Sequence, residues 1–181
     1  DRLYEDAERH NCVFVGYKYG TPAYGALRGT LSETTFAGEV SGSDKRFSFA
    51  VPLCAGGKTL CVFESAIDAL SYLTLLKLRG RDWRTANTLS LSGIYRPRKD
   101  GSIRFPAALE QYLKDNPGVA RIVLCLDNDE PGRAGSAAIQ KELSEYEVID
   151  NPPRSGKDYN DQLQLVKGIS GRVRTRGGDA R

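Results

Sequence analysis

The stretch Arg121-Ile-Val-Leu-Cys-Leu-Asp127-Asn-Asp129-Glu-Pro-Gly132 decides how this chain is read. A short apolar run bounded by charged and turn residues spells a buried parallel strand, and Pro131 with Gly132 marks the turn into the helical pattern Arg133-Ala-Gly-Ser-Ala-Ala-Ile-Gln-Lys-Glu-Leu143. In open α/β sheets, ligands bind beyond the carboxyl ends of the strands. Asp127 and Asp129 lie two apart, so an extended backbone turns both to one side, and carboxylate oxygens placed that way suit Mg²⁺ or Mn²⁺. On these two acids alone, a solvated acidic turn that caps the helix is an equal reading.

A second strand end breaks the tie. Thr59-Leu-Cys-Val-Phe63 is another apolar run, and it delivers Glu64 directly before the helix-like stretch Ser65-Ala-Ile-Asp-Ala-Leu-Ser-Tyr-Leu-Thr-Leu-Leu-Lys-Leu78. Ile67, Leu70, Leu73 and Tyr72, Leu75, Leu76 recur at helical spacing. Ser65 and Asp68 have the spacing of a short capping box. Asp68 therefore carries two readings, a cap or first-turn charge against the helix dipole and a metal ligand.

A strand-end Glu followed much later by a strand-end Asp-x-Asp resembles the toprim domain shared by bacterial primases, topoisomerases and some nucleases. Four segments carry the resemblance: Glu64-Ser-Ala-Ile-Asp68, Leu89-Ser-Leu-Ser-Gly93, Asp127-Asn-Asp129-Glu-Pro-Gly132-Arg133, and Pro153-Arg-Ser-Gly-Lys157-Asp158-Tyr-Asn-Asp161. The last is similar to a Lys-Asp-Pro-Asn-Asp segment of primase-like members. The chain departs from the pattern at Ser65, where glycine is usual, and at Tyr159, where proline is common. The resemblance spans roughly residues 58 to 168 and implies an α/β, Rossmann-like core with a mostly parallel sheet flanked by helices.

Before residue 58, the segments 12–16, 25–30, 36–42 and 46–52 are rich in β-branched and aromatic residues and punctuated by glycine, as expected of a small antiparallel sheet. The expected organisation is thus a β-rich subdomain over 1–57, a toprim domain over 58–168 and a basic, glycine-containing tail or linker over 169–181. The leading part also resembles the modules that precede toprim domains in relaxase-associated and primase-like proteins of plasmids and integrative elements. The chain has 181 residues, begins at Asp1 and contains no methionine, which reads as a fragment or processed product. It has no signal-peptide pattern at its start and no long apolar run to span a membrane.

Cys12, Cys54, Cys61 and Cys125 lack paired zinc-ligand spacing and read as reduced residues of a cytoplasmic protein. His10, the single histidine, has no partner at metal-ligand spacing, so any catalysis rests on carboxylates, metal, lysine or arginine. The net charge of +3 says little about nucleic acid. The distribution says more: Arg96, Arg98, Lys99 and Arg104 cluster after the Leu89 segment, and Arg133, Arg154 and Lys157 follow strand ends. Such groups are candidates to neutralise phosphates beside a carboxylate-bound metal, although the 95–102 stretch reads equally as a polar loop. Arg172, Arg174, Arg176 and Arg181 fall in the tail.

Three carboxylates close together repel one another unless a cation neutralises them, and a bound Mg²⁺ or Mn²⁺ stabilises charge that develops in phosphoryl or nucleotidyl transfer. By resemblance, Glu64, Asp127 and Asp129 are the catalytic and metal-binding acids, with Asp68 and Asp158 as further metal candidates and Glu64 also a general base or acid. Asp161 joins that second group or caps the following helix. The implied function is that of a primase-like module in replication or transfer of a mobile element, acting on DNA or RNA and nucleotides, with relaxase or replication proteins as partners. A metal-dependent toprim nuclease and a non-catalytic nucleic-acid or relaxase-binding module remain as alternatives. A topoisomerase would need a nucleophilic tyrosine on a strand-passage domain that this length does not accommodate. A haloacid-dehalogenase phosphatase would carry threonine where this chain has Pro131.

Overall fold

The computed structural model describes residues 2–30, 36–93 and 104–169. Two sheets make the frame. The first is antiparallel, in the order β1 (Leu3–Glu5), β2 (Cys12–Lys18), β3 (Thr21–Arg28), β4 (Ala37–Glu39). The second has five strands in the order β5-β7-β6-β8-β9, where β5 is Ala50–Val51, β6 Thr59–Phe63, β7 Asn87–Ser90, β8 Arg121–Leu124 and β9 Glu147–Asp150. Strands β7, β6, β8 and β9 run parallel, and β5 closes one edge antiparallel to β7. The mostly parallel core expected from the two apolar runs is present, and β6 and β8 lie side by side at its centre.

Helices α1 (Ala66–Leu78), α2 (Ala107–Asp115), α3 (Glu130–Glu142) and α4 (Tyr159–Val166) flank the second sheet. One face of that sheet packs on α2 and α3 through Leu60, Val62, Leu109, Ile122, Leu124 and Ile139. The other packs on α1 and α4 through Cys61, Phe63, Leu75, Cys125 and Tyr159. A strand covered on both faces has no polar side, which is why the sequence shows continuous apolar runs here rather than alternation.

The first sheet sits against α1. Phe14 of β2 meets Phe49 edge-on with ring centroids 5.6 Å apart, and both pack with Ala66 near Ile67 and Leu70. The approach is close: a β-carbon on Gly16 would lie 1.8 Å from the Phe47 carbonyl oxygen, so only glycine fits there.

The leading segment differs from its sequence reading at both ends. Leu3–Glu5, not anticipated, pairs with β2 as an edge strand. Residues 46–52 do not add to the antiparallel sheet. They form a 3₁₀ turn over Lys45–Phe47, capped by Asp44, and then contribute β5 to the second sheet. The Asp44 carboxylate binds both the Arg46 main-chain N–H and its guanidinium, which turns the chain before Phe49 is buried. All four cysteines are free; Cys61 and Cys125 are buried, while Cys12 and Cys54 are half-buried. His10 is on the surface, with Nδ1 2.6 Å from Glu5 Oε1. Among the described residues no helix is long and apolar enough to cross a membrane.

Candidate metal and phosphate site

The carboxyl ends of β6 and β8 bring three acids to one point. Glu64 follows β6 directly, and its Oε1 accepts the main-chain N–H of Asp127 at 3.1 Å, so one strand end holds the carboxylate of the other. Asp127 lies three residues beyond the end of β8, after the buried apolar continuation Cys125-Leu126. Asp129 is the N-cap of α3: Oδ1 accepts the Gly132 N–H at 3.0 Å, which leaves Oδ2 to face its neighbours. One oxygen from each of Glu64, Asp127 and Asp129 lies within 4.8 Å of the other two.

Gly132 makes this approach possible. A β-carbon there would lie 2.1 Å from the Asp127 carbonyl oxygen and 2.9 Å from Glu64 Oε1. The glycine of Asp-x-Asp-x-x-Gly is therefore a spacing requirement, and it sits inside α3. The helix starts at Glu130, earlier than the Arg133 start read from sequence, because Asp129 caps it and Pro131 fits its first turn.

Packed together, the acids shift one another. Burial, and next the Asp127 charge, push Glu64 from 4.5 up to about 7. Burial also raises Asp127, against the opposing pull of Lys157. At Asp129 burial pushes upward, but the Gly132 amide and Lys157 outweigh it and the carboxyl is held below its ordinary value. Lys157 Nζ lies 2.9 Å from Asp127 Oδ2 and 3.3 Å from Asp129 Oδ2. The donor set consists of hard oxygens and already draws a cation, so it fits Mg²⁺ or Mn²⁺.

The family model described as Toprim-like matches residues 61–163. The chain belongs to the toprim-like family. Residues 1–53 match a second family model, described as a protein of unknown function, DUF3991. No curated protein matches the chain. The toprim fold here is similar to the primase fragment of the bacteriophage T7 primase-helicase protein, with a TM-score of 0.58 and 16% identity over 93% of this chain and 63% of that one. Primase domains of the same phage, seen with its lagging-strand DNA polymerase and bound to an RNA/DNA hybrid and dTTP, match with a TM-score of 0.54 and 17% identity over 92% of this chain and 76% of theirs. The zinc-binding and RNA polymerase domains of the Aquifex aeolicus primase match with a TM-score of 0.52 and 16% identity over 93% of this chain and 41% of theirs. Against the first and third of these structures, the chain spans 63% and 41% of the matched length.

Around the toprim acids, the other residues singled out in the sequence separate. Asp68 is buried and tied down: Ser65 Oγ donates to its Oδ2 at 2.5 Å, and the Asn160 N–H donates to Oδ1 at 3.2 Å. Burial lifts it to about 6. Ser65 caps α1 by accepting the Asp68 N–H, so serine serves the backbone path where the family usually has glycine. Asp158 is the N-cap of α4 and accepts the Asp161 N–H at 2.7 Å. Asp161, read as a possible cap, instead lies in the first turn and accepts the Lys157 N–H. Among the described residues neither Asp68 nor Asp158 shares the close oxygen cluster of the other three.

Arg133 turns inward. Its guanidinium donates to the carbonyls of Leu126 and Asp127 and pairs with Asp150 at 2.6 Å, strapping the Asp-x-Asp turn to β9. Arg154 is exposed, while its main-chain N–H is held by buried Gln162. Arg96, Arg98 and Lys99 lie outside the described residues, as do the tail arginines.

In the sequence Tyr159 stands out only as a residue where proline is common. It is buried, donates its hydroxyl to the Asn151 carbonyl at 2.7 Å, and meets the rings of Phe63 and Tyr72 edge-on. That contact anchors α4, and with it the Lys157 loop, against β6. An aromatic residue in a turn otherwise made of polar residues and glycine was the available signal.

Proposed function

We propose that this chain is a primase-like toprim module of a mobile-element replication or transfer protein, carrying out Mg²⁺- or Mn²⁺-dependent nucleotidyl or phosphoryl transfer on nucleic acid. The convergence of Glu64, Asp127 and Asp129 oxygens within 4.8 Å at the carboxyl edge of a parallel sheet carries this reading. Membership of the toprim-like family and the likeness of fold to primases support it. Residues 1–57 act in it as an accessory β-rich subdomain and 169–181 as a linker.

Glu64, Asp127 and Asp129 hold the metal, which when bound supplies a positive centre that neutralises phosphate charge. Without metal, Glu64 is raised to about 7 by burial, so near neutral pH it gives up its proton as the cation binds, and its oxygen not held by the Asp127 N–H would serve as the general base. Asp129 keeps one oxygen on the α3 cap, so the position of its other oxygen is set before any ligand arrives. Lys157, which pairs with Asp127, and exposed Arg154 lie on the loop after β9 and would supply the charge that neutralises the phosphates. Asp68 and Asp158 position the ends of α1 and α4 around them, and join in metal binding only through rearrangement of those caps.

Calorimetric titration of Mg²⁺ and Mn²⁺ into the wild-type chain and Asp127→Asn/Asp129→Asn, followed by incubation with single-stranded DNA and labelled nucleotides, tests the proposal. Metal binding and metal-dependent extension products, both lost in the mutant, are expected. Cleavage of the same DNA without synthesis would assign a nuclease, and DNA binding that survives Glu64→Gln with no turnover would assign a binding module.

A further inference from the structure

Lys157 occupies a position that the metal reading does not explain. Its Nζ touches Oδ2 of both Asp127 and Asp129, two of the three carboxylates that a divalent cation would need. The main chain at Lys157 is fixed on both sides: its carbonyl accepts the Asn128 N–H at 2.7 Å, and its N–H donates to Asp161 Oδ2 at 3.1 Å. Gly156, at φ +77, sets the turn that brings it there. The side chain itself is 54% exposed, against 11% for Asp127. A pinned backbone under a half-exposed, flexible stem lets the ammonium move without moving the loop.

We infer that Lys157 is an internal counter-ion that competes with the divalent cation for Asp127 and Asp129 and exchanges onto a substrate phosphate when the metal binds. This rests on the metal reading of the three acids. Without metal, the ammonium offsets part of their mutual repulsion. With metal, its carboxylate partners are taken and two cations repel, so a phosphate oxygen becomes the better acceptor. Arg133 has no such freedom, because the carbonyls of Leu126 and Asp127 and the Asp150 carboxylate hold it. The exchange couples the two ligands: nucleic acid that captures Lys157 tightens metal binding, and metal that releases Lys157 tightens nucleic-acid binding to the same degree.

The test measures Mn²⁺ affinity by electron paramagnetic resonance with no phosphate compound present, on wild type, Lys157→Met and Lys157→Arg. Removing the competitor in Lys157→Met is expected to tighten Mn²⁺ about tenfold, within the usual range of site-to-site coupling. Lys157→Arg, whose fork suits carboxylates better, is expected to weaken it. In a parallel arm, anisotropy of a labelled single-stranded oligonucleotide is followed with and without Mg²⁺. Wild type should gain affinity on adding Mg²⁺, and Lys157→Met should lose that gain. Unchanged or weaker Mn²⁺ binding in Lys157→Met, with binding still abolished by Asp127→Asn/Asp129→Asn, overturns the exchange and leaves the metal site standing. Mn²⁺ binding that survives Asp127→Asn/Asp129→Asn overturns the metal site and the exchange with it. If Lys157→Met does not fold, the Lys157→Arg arm decides alone, since affinity equal to or above wild type contradicts competition.

Discussion

The carboxyl edge of the parallel sheet and the contact between the antiparallel sheet and α1 are both built on a glycine pressed against a carbonyl, yet they serve different ends. At Gly132 the close approach brings Asp127 and Glu64 together, so the spacing is part of the site. At Gly16 it lets β2 pass the Phe47 carbonyl, so the spacing seats one sheet beside α1. The same steric device thus makes a charged cluster in one place and an apolar seam in the other. What differs is the neighbourhood: three carboxylates and a lysine in the first, Phe14, Phe49 and Ala66 in the second.

The largest effect is expected at the acids. Asp127→Asn/Asp129→Asn should lower metal-dependent turnover by roughly a hundredfold or more, the scale for removing preorganised charge stabilisation, as read by primer-extension rates at saturating Mg²⁺. The same substitutions should leave the Gly16 seam folded, checked by unchanged near-ultraviolet circular dichroism.

The two glycines then separate the regions. Gly132→Ala and Gly16→Ala should each cost about 1–3 kcal/mol through overpacking, measured by urea unfolding. Only Gly132→Ala should also weaken Mn²⁺ binding by the folded protein. Equal loss of Mn²⁺ affinity in Gly16→Ala would mean that the seam shapes the site and that the contrast is wrong.

Charge gives a third handle, confined to the carboxyl edge. A carboxyl raised in the folded state holds its proton more tightly folded than unfolded, so its contribution to stability is present at low pH and is lost as pH rises. For Glu64 the window runs from 4.5 to about 7, and Asp68 acts in the same sense from 3.8 to about 6. In chelator, stability should fall across that range by about 1–2 kcal/mol per group after allowance for solvent screening. Glu64→Gln should flatten the upper part of the slope. Metal affinity should move oppositely, rising as pH passes 7, because Glu64 must shed its proton to bind. A metal-free protein that gains stability between pH 5 and 7 would contradict the burial of these groups.

The smallest expected change is at Tyr159. Tyr159→Phe keeps the ring contacts with Phe63 and Tyr72 but leaves the Asn151 carbonyl without its donor, a loss of about 1 kcal/mol. Thermal unfolding should register it while metal affinity stays near wild type.

The strand ends at Glu64 and Asp127 were legible because buried parallel strands demand unbroken apolar runs, and a carboxylate that ends such a run has little structural reason to be there. The antiparallel segments were legible as strands, but not their partners. Residues 46–52 resemble the strands before them, yet Asp44 and the burial of Phe49 send β5 to the other sheet. Arg133 and Lys157 show the same limit. Both are cations after a strand end, and only packing turns one inward as a strap and lays the other across the acids.

Local chemistry, then, is what the sequence determined by itself: apolar runs, caps at Ser65 and Asp129, glycines at the turns, and acids at fixed positions. These depend on neighbours along the chain, whose spacing is set by covalent geometry. Tertiary structure alone decided which oxygens of Glu64, Asp127 and Asp129 meet, which cation faces them, and how far Glu64 is lifted toward neutrality. Those properties depend on distances between residues far apart in the chain and on exclusion of water, and both arise only when β6, β8 and the Lys157 loop pack together.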